Sequence, residues 1–211
     1  MLPLPAPLVL ASTSKYRRAQ LQRLGLAFEC VAPDYAEDAV PGMSALQLVQ
    51  HHARQKALAV AAARSGHGAW VLAADQGVIL ADDEGGVLLG KPGSADRAVA
   101  QLLTLSGRTH DLATAVVLLT PDGVLRERLV IVEMQVRALT TGEAQAYVVA
   151  DDPLDCAGSY RIESLGPWIL ERCTGDDPTA IEGLPLLAVT SLLREALHEG
   201  HVARLTGSAA R

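Results

Sequence analysis

Two carboxylates far apart in the chain, Glu37 and Asp75, and a small set of lysines, Lys15, Lys56 and Lys91, are the residues from which this sequence could build chemistry. Asp75-Gln76 separates two apolar runs, Trp70 to Ala74 and Gly77 to Ala81, so the polar pair is either exposed at a strand end or held in a site. In the second case Asp75 is a candidate general base or metal ligand. Glu37, in the acidic loop Pro33-Asp34-Tyr35-Ala36-Glu37-Asp38, is its candidate partner across a cleft. Two such carboxylates would hold Mg²⁺ or Mn²⁺, hard cations that take oxygen ligands and keep waters for chemistry. No spacing rule joins them, and each has ordinary surface charge as its alternative.

A second cluster lies in Ser12-Thr13-Ser14-Lys15-Tyr16-Arg17-Arg18, between a short apolar run and an amphipathic segment. Hydroxyl donors, unpaired helix-start amides and guanidinium forks converge there, which suits a phosphate. The alternative is a serine cap with solvated charges behind it. The positive charge of the chain is written as 15 Arg and only 3 Lys. Against that background a lysine marks a place where a compact point charge has a use, or has survived by chance. Gly85, Gly90 and Lys91 mimic the spacing of a P-loop, but Pro92 stands where the metal-binding hydroxyl belongs. Adjacent His51 and His52 are not at helical metal-pair spacing, and neither HExxH nor GxSxG occurs. Trp70 and Trp168 read as core or rim residues.

The elements that must position these groups follow from periodicity. Leu8 to Ala11 reads as a strand, Tyr16 to Leu24 as a helix stopped by Gly25, and Phe28 to Ala32 as a second strand. Ser44 caps a long helix to about Arg64, with Leu46, Val49, Ala53, Ala57 and Val60 on one face and Lys56 at its border. The turn Asp82-Asp83-Glu84-Gly85-Gly86 leads to Val87-Leu88-Leu89, and Ser94 caps a helix to Leu105. A long hairpin spans Arg108 to Arg137 around Pro121-Asp122-Gly123. Thr140 and Glu143 form a capping box for a helix to Ala150. Short strands at Ser159 to Glu163 and Trp168 to Leu170 come next, then a last helix from Leu186 to His198 and a loosely ordered tail after Gly200. The expected class is α/β: a mixed sheet with flanking helices in a single domain over residues 1–211.

Bulk properties narrow the function. A net charge of −6 argues against a nucleic-acid or membrane-surface binder, so any phosphate site must be locally basic. No apolar run approaches the roughly 20 residues needed to span a bilayer. Cys30, Cys156 and Cys173 form no CxxC pair, which fits a reducing compartment and a cytoplasmic protein. The oligomeric state is not fixed by the sequence, and a homodimer stays open.

Together, LVLASTSKYRR, Glu37, ARQKA around Lys56, AADQ at Asp75-Gln76, GKP at Lys91, LSGRTH, DCAGSY and IEGLPL resemble the Maf family of nucleotide pyrophosphatases, in that family's order. The resemblance implies a fold related to inosine triphosphate pyrophosphatases, with two lobes around a deep nucleotide-binding groove. It implies Asp75 as the base on water, Glu37 and Asp75 at a divalent metal, and Ser12, Ser14, Arg17, Lys56 and Lys91 on the phosphates of a nucleoside triphosphate. Tyr16, Gln76 and Glu163 fall at positions that sort the family by base, and they resemble the 7-methyl-GTP branch, which carries Pro-Trp where this chain has Lys15-Tyr16. A cationic methylated guanine over the Tyr16 ring would gain roughly 0.5 to 2 kcal/mol. Glu163 could accept from the N1 and N2 edge of guanine. The alternatives are a dTTP/UTP pyrophosphatase of the same family, a catalytically idle nucleotide binder that regulates division, and, for Glu163, a simple pairing with Arg161.

Overall fold

The computed structural model describes residues 4–64, 68–82 and 86–207. Asp83, Glu84 and Gly85, which hold most of the expected turn and the first glycine of the P-loop-like spacing, lie outside the described residues. The elements are β1 (Leu8–Ala11), α1 (Lys15–Gln22), β2 (Phe28–Val31), α2 (Ala45–Ala63), β3 (Trp70–Leu80), β4 (Val87–Leu89), α3 (Ala95–Leu105), β5 (Thr109–Leu119), β6 (Leu125–Val136), α4 (Thr141–Asp151), β7 (Leu170–Thr174) and α5 (Leu186–Gly207). The expected mixed sheet is present, in the order β2-β1-β3-β5-β6-β7 with β4 also on β3. β1 runs parallel to both β2 and β3, and the remaining pairs are antiparallel.

Strand alternation divides the core between the two sheet faces. Leu8, Leu10, Leu72, Ala74, Val116 and Leu118 pack with Leu184, Val189 and Leu192 beside and on α5. Their neighbours Val9, Ala11, Val71, Ala73, Ala115 and Val117 pack with Val49, Ala53, Ala57 and Val60 of α2. A third cluster joins Val78 and Leu80 to α3 and α4 through Leu102, Leu105, Ala144 and Tyr147. The caps anticipated at Ser44, Ser94 and Thr140 are all formed, and Ser14 caps α1.

Four features differ from the sequence reading. β3 is one continuous strand, so Asp75 and Gln76 are in its middle and not at a strand end. Residues 159–163 are not a strand: Gly158 and Ser159 both have positive φ, 71° and 63°, and turn the chain away from the sheet. The chain rejoins the sheet only at β7, later than expected. Finally, α5 continues past Gly200, because one glycine costs a helix only about 1 kcal/mol.

The middle of β3 is where the sheet opens. β1 pairs with Trp70 to Leu72, and β4 pairs with Val78 to Leu80 on the same edge. Between them Ala73 to Gly77 pair, among the described residues, with β5 alone. This gap along one edge of β3 holds Asp75 and Gln76.

Candidate active site

Alternation sends these two adjacent residues to opposite faces. Asp75 shares the face of Ala73 and reaches α2, where Lys56 donates to its Oδ1 at 2.5 Å. Lys56 also donates to Glu37 Oε1 at 2.6 Å. Its side chain is therefore buried on the inner face of α2, further in than the border position expected. Burial works to raise the Glu37 carboxyl, but the hydrogen bond and charge of Lys56, helped by Lys91 and His52, hold it below the ordinary carboxylate value. One turn before Lys56, His52 shares a 2.7 Å hydrogen bond with the Tyr35 hydroxyl. Thus α2 grips the acidic loop at two rungs, Tyr35 and Glu37.

Gln76 faces the other way. Its Nε2 donates to Thr114 Oγ1 at 2.9 Å and to the Ala180 carbonyl at 2.7 Å, so the amide orientation is set. The turn that supplies Ala180 is held by α1 as well: Gln20 donates to the Thr179 and Leu184 carbonyls, and Arg17 Nε donates to the Gly183 carbonyl at 2.9 Å. Gly183 has a φ of 107°, a conformation that suits glycine. Buried Asp177 fastens the same turn to α5, accepting from the amides of Leu187 and Ala188.

Two adjoining cavities result. The first, about 210 Å³, is lined by Ser12, Ser14, Arg17, Glu37, Lys56, Asp75, Gln76 and Lys91 among others. The second, about 310 Å³, is lined by Ser14, Tyr16, Arg17, Gln76, Lys91, Arg161 and Glu163 among others. Every site residue expected from sequence therefore lines at least one of them. Cations and carboxylates gather in the first. The Ser12 hydroxyl accepts from the Ser14 amide at 3.1 Å and keeps its proton free to donate. Loss of solvent holds Arg17 below the ordinary guanidinium value, against the opposing pull of Asp75 and Glu37.

The second cavity is charged as well, by Lys15, Lys91, Arg161, Asp155, Glu163 and Glu182, and it alone has aromatic walls. The Tyr16 ring carries the Lys15 ammonium 4.8 Å from its centroid, and its hydroxyl accepts from Arg161 Nη1 at 3.1 Å. Partial burial, with nearby Glu182, raises the Glu163 carboxyl. Arg161 pairs with Asp151 at 3.2 Å, so the simple pairing with Glu163 weighed from the sequence is not the one formed. Tyr160 lines the wall and bonds His110 Nε2 at 2.9 Å inside the core. Tyr35, His52, Asp151, Arg161 and Glu182 were missed as site residues, since only tertiary structure brings them near. Arg161, adjoining DCAGSY, had the nearest sequence signal.

The two carboxylates fit a divalent cation in donor type, being hard oxygens already gathered around one positive charge. Among the described residues no group of three or more His, Cys, Asp or Glu surrounds a common point. Water and substrate oxygens would complete the shell, which is how Mg²⁺ is usually held beside phosphates.

A family profile described as "Maf-like protein" matches residues 7–196. A curated protein of Xanthomonas campestris pv. campestris, named 7-methyl-GTP pyrophosphatase, is 43% identical over 189 residues, 90% of this chain and 95% of its own length. Another of that name, from a Polaromonas species, is 44% identical over 195 residues, 92% of this chain and 86% of its own. A solved nucleoside-triphosphatase / dITP/XTP pyrophosphatase from Mycobacterium abscessus aligns over 96% of this chain and 97% of its own, with a TM-score of 0.45 and 17% identity. No described helix is long and apolar enough to cross a membrane.

Proposed function

We propose, from the premise that this chain belongs to the Maf-like family, that it hydrolyses 7-methyl-GTP to 7-methyl-GMP and pyrophosphate. The observation that carries the reading is how one cleft divides. Both cavities carry cations and carboxylates, but Glu37, Lys56 and Asp75 line only the first, and the rings of Tyr16 and Tyr160 line only the second, with Glu163.

In this reading the triphosphate lies in the first cavity, where Ser12, Ser14, Arg17, Lys56 and Lys91 neutralise and orient it. Lys56 spends two of its three donors on Glu37 and Asp75, leaving one for a phosphate oxygen. Asp75 Oδ1 is held by Lys56, and Oδ2 takes the proton from a water whose oxygen attacks the α-phosphorus. The bond from that phosphorus to the bridging oxygen breaks, and pyrophosphate departs. Glu37 and Asp75 would hold Mg²⁺ or Mn²⁺, which supplies charge neutralisation for the phosphates when bound.

In the second cavity Glu163 accepts from N1 and N2 of guanine. Burial raises its carboxyl, and a cationic methylated ring beside it would favour the charged form. Tyr16 offers that ring the face not taken by the Lys15 ammonium.

Hydrolysis in ¹⁸O-water tests both halves. With a panel of 7-methyl-GTP, GTP, dTTP and UTP, kcat/KM should be highest for 7-methyl-GTP, and the label should appear in the monophosphate. Label in pyrophosphate would refute attack at the α-phosphorus. Preference for dTTP or UTP would overturn the base assignment and leave the catalytic assignment standing.

A further inference from the structure

We propose that Asp151 and Arg161 are positioning residues for base selection, acting through the hydroxyl of Tyr16; this rests on the reading of the second cavity as the base subsite. Arg161 spans the space between the two. Its Nη1 donates to Tyr16 Oη at 3.1 Å and its Nη2 donates to Asp151 Oδ1 at 3.2 Å. Arg161 and Tyr16 line the cavity, whereas Asp151 does not. The Asp151 side chain is 1% exposed.

The anchor is rigid. Tyr147, one turn earlier on α4, donates its hydroxyl to Asp151 Oδ2 at 2.6 Å and accepts the backbone amide of Arg161 at 3.1 Å. Helix α4 therefore holds Arg161 by backbone and side chain together. A guanidinium has a planar, fixed fork, so fastening one arm to Asp151 fixes where the other arm places the phenol oxygen. Tyr16 stands on the first turn of an 8-residue helix, and its other polar neighbours, Lys15 over the ring and Cys156 at the hydroxyl, have no rigid fork of this kind.

Charge makes the arrangement selective as well as stiff. Arg161 puts a full positive charge on the wall that meets the base, and a 7-methylguanine ring is itself cationic. Asp151 cancels that charge from behind. Replacing Asp151 with a neutral isostere leaves the wall one charge more positive, which opposes the methylated ring and leaves the neutral guanine of GTP little affected.

The test compares 7-methyl-GTP with GTP in the full-length protein carrying Asp151→Asn, Tyr16→Phe or both. Two readouts are used: kcat and KM with metal present, and dissociation constants by calorimetry in EDTA, where no turnover is needed. Asp151→Asn should lower the preference for 7-methyl-GTP by about 10-fold, the size expected for one charge-assisted contact, through KM and Kd far more than kcat. Tyr16→Phe keeps the ring, loses the tether and should weaken 7-methyl-GTP binding. The double variant should lose less than the two single losses combined, because both changes cut the same tether and only the uncompensated Arg161 charge is added. Equal losses on the two nucleotides, in step with lowered Tm, would reduce Asp151 to a stabilising residue and overturn the proposal. Additive effects would do the same. If Asp151→Asn does not fold, Arg161→Lys takes its place in the cycle, since one ammonium cannot reproduce the fork. If the unaltered protein binds 7-methyl-GTP selectively but turns over nothing, the proposed function fails while the calorimetric comparison still decides the role of Asp151.

Discussion

Lys56 Nζ stands 2.5 Å from Asp75 Oδ1, so the candidate base meets a buried ammonium before it meets any substrate. The same ammonium holds Glu37 at 2.6 Å. A divalent cation drawn to these carboxylates must share them with Lys56 or displace it. Lys56→Met should therefore raise the affinity for Mn²⁺ in the absence of nucleotide, measured by calorimetry, while lowering turnover by about 100-fold as a phosphate contact and the orientation of Asp75 are lost. Unchanged or weaker Mn²⁺ binding would show that Glu37 and Asp75 do not form the metal site.

Asp75→Asn keeps the shape of the side chain and an oxygen for Lys56, but cannot take a proton from water. Turnover should fall by about 10²- to 10⁴-fold, the usual contribution of general base catalysis. Nucleotide binding should persist. Residual activity above about a tenth would remove Asp75 as the base.

Glu163→Gln should harm guanine substrates selectively. The amide offers one acceptor and sets a donor against a donor, leaving polar groups unpaired at a cost of about 1 to 3 kcal/mol. On 7-methyl-GTP that is about 5- to 150-fold in kcat/KM, with dTTP nearly unaffected. Equal losses on both nucleotides would place Glu163 outside base recognition.

His110 predicts a pH-dependent stability. Burial lowers it from 6.5 to about 4, so the folded protein keeps it neutral where the unfolded chain would bind a proton. Its contribution is complete above pH 6.5, falls as pH drops toward 4 and is constant below that. The full loss is on the order of 3 kcal/mol. Denaturant unfolding at pH 7 and pH 5 should show a smaller drop for His110→Gln than for the unaltered protein. Parallel drops would mean that His110 does not control this range.

Much of this architecture was legible because local rules and the final packing agree. Ser44, Ser94 and Thr140 cap their helices as their side chains allow, and the hairpin around Asp122 follows from its turn residues. Asp75 was recognised as a candidate but misplaced, because two polar residues in an apolar run look like an end. They are tolerated within β3 because the sheet opens there. Ser159 to Glu163 were misread as a strand because the turn at Gly158 continues through Ser159, whose positive φ is imposed from outside. A Cβ at Gly158 would lie 2.6 Å from Val78 Cγ2, and the Ser159 hydroxyl is bound by Gln101 of α3. The connection from Tyr16 to Asp151 joins residues separated by more than half the chain, and no local pattern encodes it.

The position of β1 in the sheet has a consequence for biosynthesis. This early strand lies between β2 and β3, and its inner face is covered by Leu184, Val189 and Leu192. Arg17 and Gln76 likewise take their carbonyl partners from Gly183 and Ala180. More than 150 residues separate Ser12 and Ser14 from Ala180 and Gly183, and all of them must be made before the serines of the cleft acquire their wall. Nascent chains would accordingly wait with Leu8 and Leu10 unshielded, a state open to chaperones and proteases. Catalytic competence would then wait on the segment that carries Ala180 and Gly183.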